Sequence, residues 1–222
     1  MLRLATACQP LSAAGRLRVL AVGFMLNAGI TPHCQAGTVE LVVHDQLGAA
    51  LGDAVVFVVP KSGASPAGPA PAVIDQVAKA FLPKVSIVEA GAEVTFPNKD
   101  NIKHHVYSFS PAKVFELKLY SGIPAKPVVF EKPGIVVLGC NIHDGMIAYV
   151  YVVDSPYHAL TDATGKATLT DVPPADYTLH VWHFRMPSTA AVSQPIAVRA
   201  QGASTAVTLK VEPDAPVPPP LE

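Results

Sequence analysis

The sequence predicts an all-β protein built from short strands. Its 222 residues include 22 prolines and 15 glycines, which interrupt helices and favour turns, and its apolar runs are short and rich in valine. Several runs alternate apolar and polar residues with the period of two that is typical of a half-buried strand. Half of the residues are hydrophobic, so the chain can fill a substantial core, and its length allows one or two domains.

The first 36 residues have the features of a secretory signal peptide. Three arginines give a basic start, and residues 19–26 form an apolar run that is too short to span a bilayer. Cys34 and Ala36 place small residues at the usual cleavage positions, so we predict cleavage after Ala36 and a periplasmic protein. The alternative is an N-terminal membrane anchor, against which the polar residues from position 31 onward argue.

Cleavage would leave one cysteine and an excess of acidic residues. Cys8 and Cys34 leave with the signal, so Cys140 has no internal partner for a disulfide and needs another role, for which a metal is a good candidate. The 13 basic residues that remain face 17 acidic ones, a net charge of −4. This charge argues against nucleic acid or an anionic membrane as partner, and we expect no membrane span after cleavage.

Strands are predicted in three groups along the rest of the chain. Two lie in residues 38–59, ahead of a segment rich in Pro, Gly and Ser, 60–72, that we interpret as an exposed linker. Most lie in 73–153, and the others lie in 156–212, before a proline-rich tail, 213–222, that we expect to be disordered. The predicted strands are 39–43, 54–59, 84–88, 93–96, 105–109, 115–119, 126–131, 135–138, 147–153, 167–169, 177–184, 194–199 and 204–211.

Three local patterns give more specific expectations. Residues 73–81 could be a strand or a helix, because charged residues interrupt their apolar pattern. Ala90-Gly91 is interpreted as the turn of a short hairpin. In the strand 115–119, the alternation predicts that Phe115, Leu117 and Leu119 share one face.

The strongest chemical signal is a short loop between two predicted strands. Cys140, His143 and Met146 offer a thiolate, an imidazole and a thioether around a tight turn. Soft sulfur ligands and imidazole suit copper, and two histidines and a cysteine with a weak axial methionine form the blue-copper arrangement. The second histidine must come from elsewhere, and His104-His105 is the obvious source. Zinc is the main competitor, but it would prefer a second cysteine or a carboxylate to methionine.

Each of these residues also has an ordinary structural explanation. A single cysteine in an apolar strand is usually a small buried hydrophobe, a methionine is usually core, and a histidine in a turn is usually solvated. The conjunction of all three in one strand-flanked loop, with a histidine-containing turn ahead of it, favours a metal site. His180, Trp182 and His183 do not form such a conjunction, and we interpret them as a packed tryptophan with two ordinary histidines.

Residues 73–153 resemble a cupredoxin of the amicyanin–plastocyanin type. The Cys-x-x-His-x-x-Met spacing from Cys140 to Met146 is similar to that of amicyanin, and residues 97–106 resemble the segment that carries the first ligand. Exported bacterial proteins labelled methylamine-utilisation or plastocyanin-like proteins share this pattern. The resemblance implies a Greek-key β-sandwich and one type 1 copper site with His104, Cys140 and His143 as ligands and Met146 as the axial one. The family has asparagine where this chain has His105, which could support His104 or replace it.

Residues 38–59 and 156–212 resemble a different fold, the carboxypeptidase-regulatory-like or transthyretin-like β-sandwich. The likeness lies mostly in turn residues, around Asp45-Gln46-Leu47-Gly48 and in residues 161–165 and 172–179. Because the cupredoxin-like part is complete from about residue 73, we predict that it is inserted into this second small sandwich.

These patterns predict an exported blue copper protein that carries single electrons between periplasmic redox partners. The cupredoxin resemblance implies that His143, with Ile142 and Ile147 nearby, is the electron exit. The alternatives are a copper-binding or delivery protein without a carrier role, and a non-redox β-sandwich interaction protein. We do not expect an enzyme, because the sequence has no further histidine cluster for a second copper centre, no nucleophile–base arrangement and no phosphate loop.

Overall fold

The computed structural model describes residues 36–62, 68–124 and 126–213, which contain 17 strands and no helix. The all-β prediction is therefore confirmed for these residues. The predicted signal peptide up to residue 35, the middle of the predicted linker and the tail beyond residue 213 lie outside them. Across the described ranges, no helix is long and apolar enough to cross a membrane.

Seven strands, from the two ends of the described chain, form one pair of sheets. These strands are β1 Gly37–Asp45, β2 Val55–Pro60, β13 His158–Leu160, β14 Lys166–Val172, β15 Ala175–Trp182, β16 Val192–Val198 and β17 Ala203–Leu209. One sheet has the order β14-β1-β17, with β1 antiparallel to β14 and parallel to β17. The other has the order β13-β2-β15-β16 and is antiparallel throughout.

The ten strands between β2 and β13 form three further sheets. These strands are β3 Ala72–Val73, β4 Asp75–Val77, β5 Ala80–Leu82, β6 Val85–Glu89, β7 Ala92–Thr95, β8 His104–Ser110, β9 Lys113–Tyr120, β10 Val128–Phe130, β11 Gly134–Gly139 and β12 Ile147–Val153. A five-stranded sheet has the order β6-β12-β11-β8-β9, a three-stranded sheet has the order β10-β7-β3, and β4 and β5 form a hairpin.

Three apolar clusters hold four sheets together as layers. The first cluster fills the space between the two sheets of the outer strands, and the second lies under the five-stranded sheet against β7 and β10. The third joins the two halves through the opposite faces of β2, β12 and β15. Its fully or largely buried members are Val55, Phe57, Val85, Tyr151, Val153 and Trp182.

Burial on both faces explains why β2 and β12 are continuous apolar runs. In β2, Val56 and Val58 face the first cluster, whereas Val55 and Phe57 face the third. A strand that is exposed on one side would alternate apolar and polar residues, but a strand buried on both sides has no polar face. The runs of valine in the sequence therefore mark the central layers of the stack.

The structure corrects the interpretation of Ala90-Gly91 as a hairpin turn. β6 pairs with β12 in the five-stranded sheet, whereas β7 pairs with β10 and β3 in another. The amide of Ala90 donates to Val153 in one sheet, and that of Gly91 donates to Phe130 in the other. The two residues therefore form a corner between sheets, and Gly91 takes the positive φ of 93° that this sharp change of direction requires.

Three other local expectations are also changed or extended. Residues 73–81 contain no helix, because the chain turns at Ala78 and Lys79 into the β4–β5 hairpin. Leu119 does not share a buried face with Phe115, because the pairing register of β9 with β8 shifts before it, and it is 51% exposed. The short strand β13, which pairs with β2, was not predicted.

Replacement of Trp182 by alanine tests the contact between the two halves. Trp182 lies in the third cluster with its ring centroid 5.5 Å from that of Tyr151. Loss of a buried aromatic side chain leaves a cavity, so we expect the free energy of unfolding to fall by about 3–5 kcal/mol. Phe109→Ala is the control, because Phe109 is 80% exposed and should change stability by about 0.5 kcal/mol or less. Equal losses in urea unfolding would contradict this packing.

Two partly buried histidines predict a loss of stability in mild acid. Burial lowers the pKa of both His158 and His180, because it disfavours the charged imidazolium, and Glu89 only partly opposes this effect at His158. As the pH falls, these histidines therefore bind protons at a higher pH in the unfolded chain than in the folded chain. The stability from the neutral rings is therefore present above pH 6.5, the ordinary histidine value, and is lost as the pH falls through the lowered pKa.

We expect the free energy of unfolding in urea to fall between about pH 7 and about pH 5, where histidines titrate. The double variant His158→Gln, His180→Gln should show a shallower pH dependence than the unaltered chain. The slope is the quantity to compare, since the substitutions also change packing. An unchanged slope would show that other groups cause the dependence.

Candidate metal centre

Cys140 lies at the point where the central strand β11 ends. The preceding residue, Gly139, is paired with Ile147 of β12 on one side and with Tyr107 of β8 on the other. Cys140 is 5% exposed and belongs to the second apolar cluster, so its thiol points inward at the end of the sandwich. Two neighbouring strands therefore hold the backbone at the start of the loop.

His104 is the first residue of β8, which lies beside β11 in the sheet. It is fully buried, and its Nδ1 lies 4.0 Å from the Sγ of Cys140. These two residues are 36 positions apart in sequence, and only the pairing of β8 with β11 brings them together.

His143 approaches the same sulfur from the loop that follows Cys140. Its Nδ1 lies 3.8 Å from Sγ, and its ring centroid lies 5.0 Å from that of His104. The ligand atoms of Cys140, His104 and His143 all lie within 4.8 Å of one another. His143 is only partly buried, so this part of the cluster reaches the surface.

Met146 closes the loop and lies inside it. Its amide donates to the carbonyl of His143 at 3.0 Å, and the residue is 1% exposed. Its side chain belongs to the same apolar cluster as Cys140. The loop thus folds back so that all three sulfur- and nitrogen-bearing residues of the motif lie at one end of the sandwich.

The donor set is compatible with a single ion of a first-row metal. In zinc sites, the bonds from the ion to cysteine sulfur and to histidine nitrogen are about 2.3 and 2.0 Å long, and zinc is similar in size to copper. Their sum exceeds the measured Sγ–Nδ1 separations of 3.8 and 4.0 Å, so one ion can contact Cys140 and either histidine without a large movement. A thiolate with imidazoles and a buried thioether suits copper better than a hard cation.

Asp100 belongs to this region as well, although no sequence motif indicated it. Its Oδ2 accepts a hydrogen bond from the Nε2 of His104 at 2.7 Å. Hydrogen bonds from the Lys79 amide and from His104 hold the pKa of Asp100 below its ordinary value. The sequence offers one signal for this contact, the spacing of four residues between Asp100 and His104. Because a loop separates the two residues, that spacing does not predict that their side chains meet.

His105 lies on the other face of the sheet. Its Nε2 is 2.8 Å from Oε1 of Glu116, and its ring packs 5.5 Å from that of Tyr107. Adjacent residues of a strand point to opposite faces, so His105 is directed away from the side where His104 meets Cys140. Of the two adjacent histidines, the cluster with Cys140 and His143 therefore contains His104 and not His105.

A partly buried tyrosine supports the end of β8. Tyr120 pairs with His104 across β8 and β9, and its hydroxyl donates to the carbonyl of Phe96 while accepting from the side-chain Nε2 of Gln76. Burial raises the pKa of Tyr120 to about 12, so its hydroxyl keeps its proton throughout the physiological range. The network ties the His104 segment to the β4–β5 hairpin.

The other candidate histidines lie elsewhere. His180 stacks on Phe57 at 4.7 Å and is 2.8 Å from the hydroxyl of Ser193. His183 is buried and accepts a hydrogen bond from the amide of Arg185. Among the described residues, neither belongs to a cluster of three potential metal ligands.

Comparisons with known proteins give structural neighbours but no sequence relatives. No protein-family model matches the chain, and no curated protein matches it. The fold is similar to a purple cupredoxin from Nitrosopumilus maritimus, at 23% identity and a TM-score of 0.33 over 37% of this chain and 99% of that one. It is also similar to a pseudoazurin from Sinorhizobium meliloti, at 24% identity and a TM-score of 0.31 over 39% of this chain and 76% of that one.

An oxidized mutant of amicyanin is a third neighbour, at 16% identity and a TM-score of 0.34 over 44% of this chain and 99% of that one. These neighbours are cupredoxins, the class that the sequence motifs indicated. Every one of these TM-scores is below 0.5, so the likeness carries no functional conclusion.

Two glycines at the loop allow a matched test of its packing. A Cβ added at Gly139 would lie 2.7 Å from the ring of Tyr107, whereas one added at Gly145 would meet no atom within 4 Å. We expect Gly139→Ala to lower the free energy of unfolding by about 1–3 kcal/mol and to alter the near-ultraviolet dichroism of tyrosine, because the ring must move. Gly145→Ala should leave both unchanged. A neutral Gly139→Ala variant would contradict this close approach.

Proposed function

We propose that this protein is a copper-binding electron carrier of the periplasm. In this proposal His104, Cys140 and His143 are the strong ligands and Met146 is the weak axial one. The observation that carries the proposal is the convergence of one thiol and two imidazole nitrogens within 4.8 Å, from two different parts of the chain. Bound copper would supply the one-electron couple.

The burial of the donors supports a carrier rather than a transient binding site. Cys140, His104 and Met146 are each 5% exposed or less, and strand pairing holds the backbone on both sides of the loop. A site whose ligands are already gathered reorganises little when the charge of the ion changes, which a one-electron carrier requires. The thiol of Cys140 would bind as thiolate, since metal coordination removes its proton.

The partly buried His143 supports electron exchange at the surface of the loop. Its neighbour Ile142 is 50% exposed, and Ile147 at the start of β12 is 43% exposed. An apolar rim around a ligand allows a partner to exclude water and approach the site closely. We therefore propose that redox protein partners dock here and that His143 is the exit for the electron.

We further propose that residues 73–153 are a cupredoxin domain inserted into a small carboxypeptidase-regulatory-like sandwich formed by 38–59 and 156–212. The shared sheets of β1, β2 and β13–β17 support this division. The third apolar cluster would keep the electron-carrying part fixed on its supporting sandwich. The protein would be exported by its signal peptide and would have no enzyme activity of its own.

The colour of the copper-loaded protein tests the proposed function. Wild-type protein with cupric ion should be intensely blue, because a type 1 site joins the ion to a cysteine thiolate, and Cys140→Ser should bleach it. His105→Asn is the control, since His105 pairs with Glu116 outside the cluster, and it should remain blue. A visible spectrum makes the measurement.

A colourless wild-type protein would overturn the electron-carrier proposal. Tight binding of cuprous ion without a stable blue cupric form would instead identify a copper-delivery protein that uses the same residues. Loss of colour in His105→Asn but not in His104→Gln would identify His105, rather than His104, as the ligand.

A further inference from the structure

We propose that Asp100 is a positioning residue for the metal centre: its carboxylate fixes the tautomer and orientation of His104, and the turn of the β4–β5 hairpin holds that carboxylate in place. The proposal deepens the proposed function, because His104 is one of the proposed copper ligands. It assigns a role to a side chain that no donor motif includes.

The hydrogen bonds of Asp100 use both of its oxygens. Oδ2 lies 2.7 Å from the Nε2 of His104 and also accepts from the amide of Lys79 at 2.9 Å. Oδ1 accepts from the amide of Ala78 at 2.7 Å. A carboxylate with a partner on each oxygen cannot rotate freely, so it presents one defined acceptor to the imidazole.

The turn that binds Asp100 has an uncommon backbone. Ala78 and Lys79 both have positive φ, 52° and 60°, although neither is glycine. In this conformation their successive amide groups both reach the same carboxylate. The hydrogen bonds to Asp100 therefore help to stabilise a backbone conformation that is unfavourable for residues with a Cβ.

The hairpin is itself fixed to the segment that precedes His104. Gln76 is fully buried, its backbone amide donates to the carbonyl of Pro97 at 2.8 Å, and its backbone carbonyl accepts from the amide of Lys99 at 2.9 Å. The Nζ of Lys99 lies 2.6 Å from the carboxylate of Asp75. The turn and Asp100 thus belong to one hydrogen-bonded unit next to the cluster.

The contact decides which nitrogen of His104 is available to a metal. A carboxylate accepts hydrogen bonds and does not donate them, so the proton lies on Nε2 and the lone pair on Nδ1. Nδ1 is the atom that faces the Sγ of Cys140 at 4.0 Å. Among the described residues no carboxylate lies within hydrogen-bond distance of His143, so the two proposed histidine ligands differ in donor strength.

The negative charge of Asp100 also affects the relative stability of the two oxidation states. A cupric ion with one thiolate carries a charge of +1, whereas a cuprous ion with the same thiolate is neutral. A carboxylate hydrogen-bonded to a ligand favours the positive state, so it should lower the reduction potential and increase the affinity for cupric ion.

The first test uses the metal-free protein and ¹⁵N NMR of the histidine rings. We expect His104 of the wild type to carry its proton on Nε2, and Asp100→Asn to give a mixture in which Nδ1 is also protonated. Asp162→Asn is the matched control, because Asp162 also holds a turn by accepting from two amides, those of Thr164 and Lys166, away from the cluster. It should leave His104 unchanged.

Two results of this test would overturn the proposal. One is a wild-type His104 that carries its proton on Nδ1, a measurement that needs no variant to fold. The other is an Asp100→Asn protein whose His104 signals match those of the wild type. Neither result depends on whether copper binds.

The second test uses copper-loaded protein. We expect Asp100→Asn to bind cupric ion at least about tenfold more weakly than the wild type, while Asp162→Asn is unchanged. If the affinity for cuprous ion stays the same, a tenfold loss raises the midpoint potential by about 59 mV. An unchanged affinity and potential would overturn the role of Asp100. A wild type that binds no copper would overturn the proposed function instead, and the NMR result on the tautomer would stand.

Discussion

The arrangement at the candidate metal centre depends on one strand pairing, that of β11 with β8. Gly139 at the end of β11 lies opposite Tyr107, and the ring of that tyrosine occupies the space where any other residue would have a Cβ. The pairing sets Cys140 beside His104, although the sequence separates them by 36 residues. The loop that follows then needs only a short turn to return His143 to the same sulfur.

A fully buried imidazole requires partners on both nitrogens, and the fold supplies them from different directions. A buried polar group without a hydrogen bond destabilises the folded state. At His104 the carboxylate of Asp100 meets Nε2 from the hairpin side, and the thiol of Cys140 lies toward Nδ1 from the neighbouring strand. One nitrogen of the ring is therefore hydrogen-bonded to a carboxylate, and the other faces the sulfur of Cys140.

The rest of the molecule packs against both faces of the sheet that carries the cluster. The five-stranded sheet that carries the cluster is covered on one face by β7 and β10 and, over part of the other, by the sheet that contains β2 and β15. Phe57, Tyr151 and Trp182 fill the second of these interfaces. The uncovered part of the sheet, where Phe109 and Val137 are exposed, lies toward β8, β9 and β11. The support and the accessible surface are thus on different parts of the same sheet.

The local features of this protein can be predicted from its residues alone. The period of two and the frequent turns predicted the strands, and covalent spacing alone placed Cys140, His143 and Met146 in one loop. Features that depend on the order of the strands in the sheets become visible only in the three-dimensional fold. The corner at Ala90-Gly91, the burial of both faces of β2 and the binding of Asp100 by the β4–β5 turn all follow from contacts between remote segments. Residue spacing limits the distance between two side chains only when they are a few positions apart in sequence. For residues that are farther apart, strand pairing and the packing of sheets determine that distance.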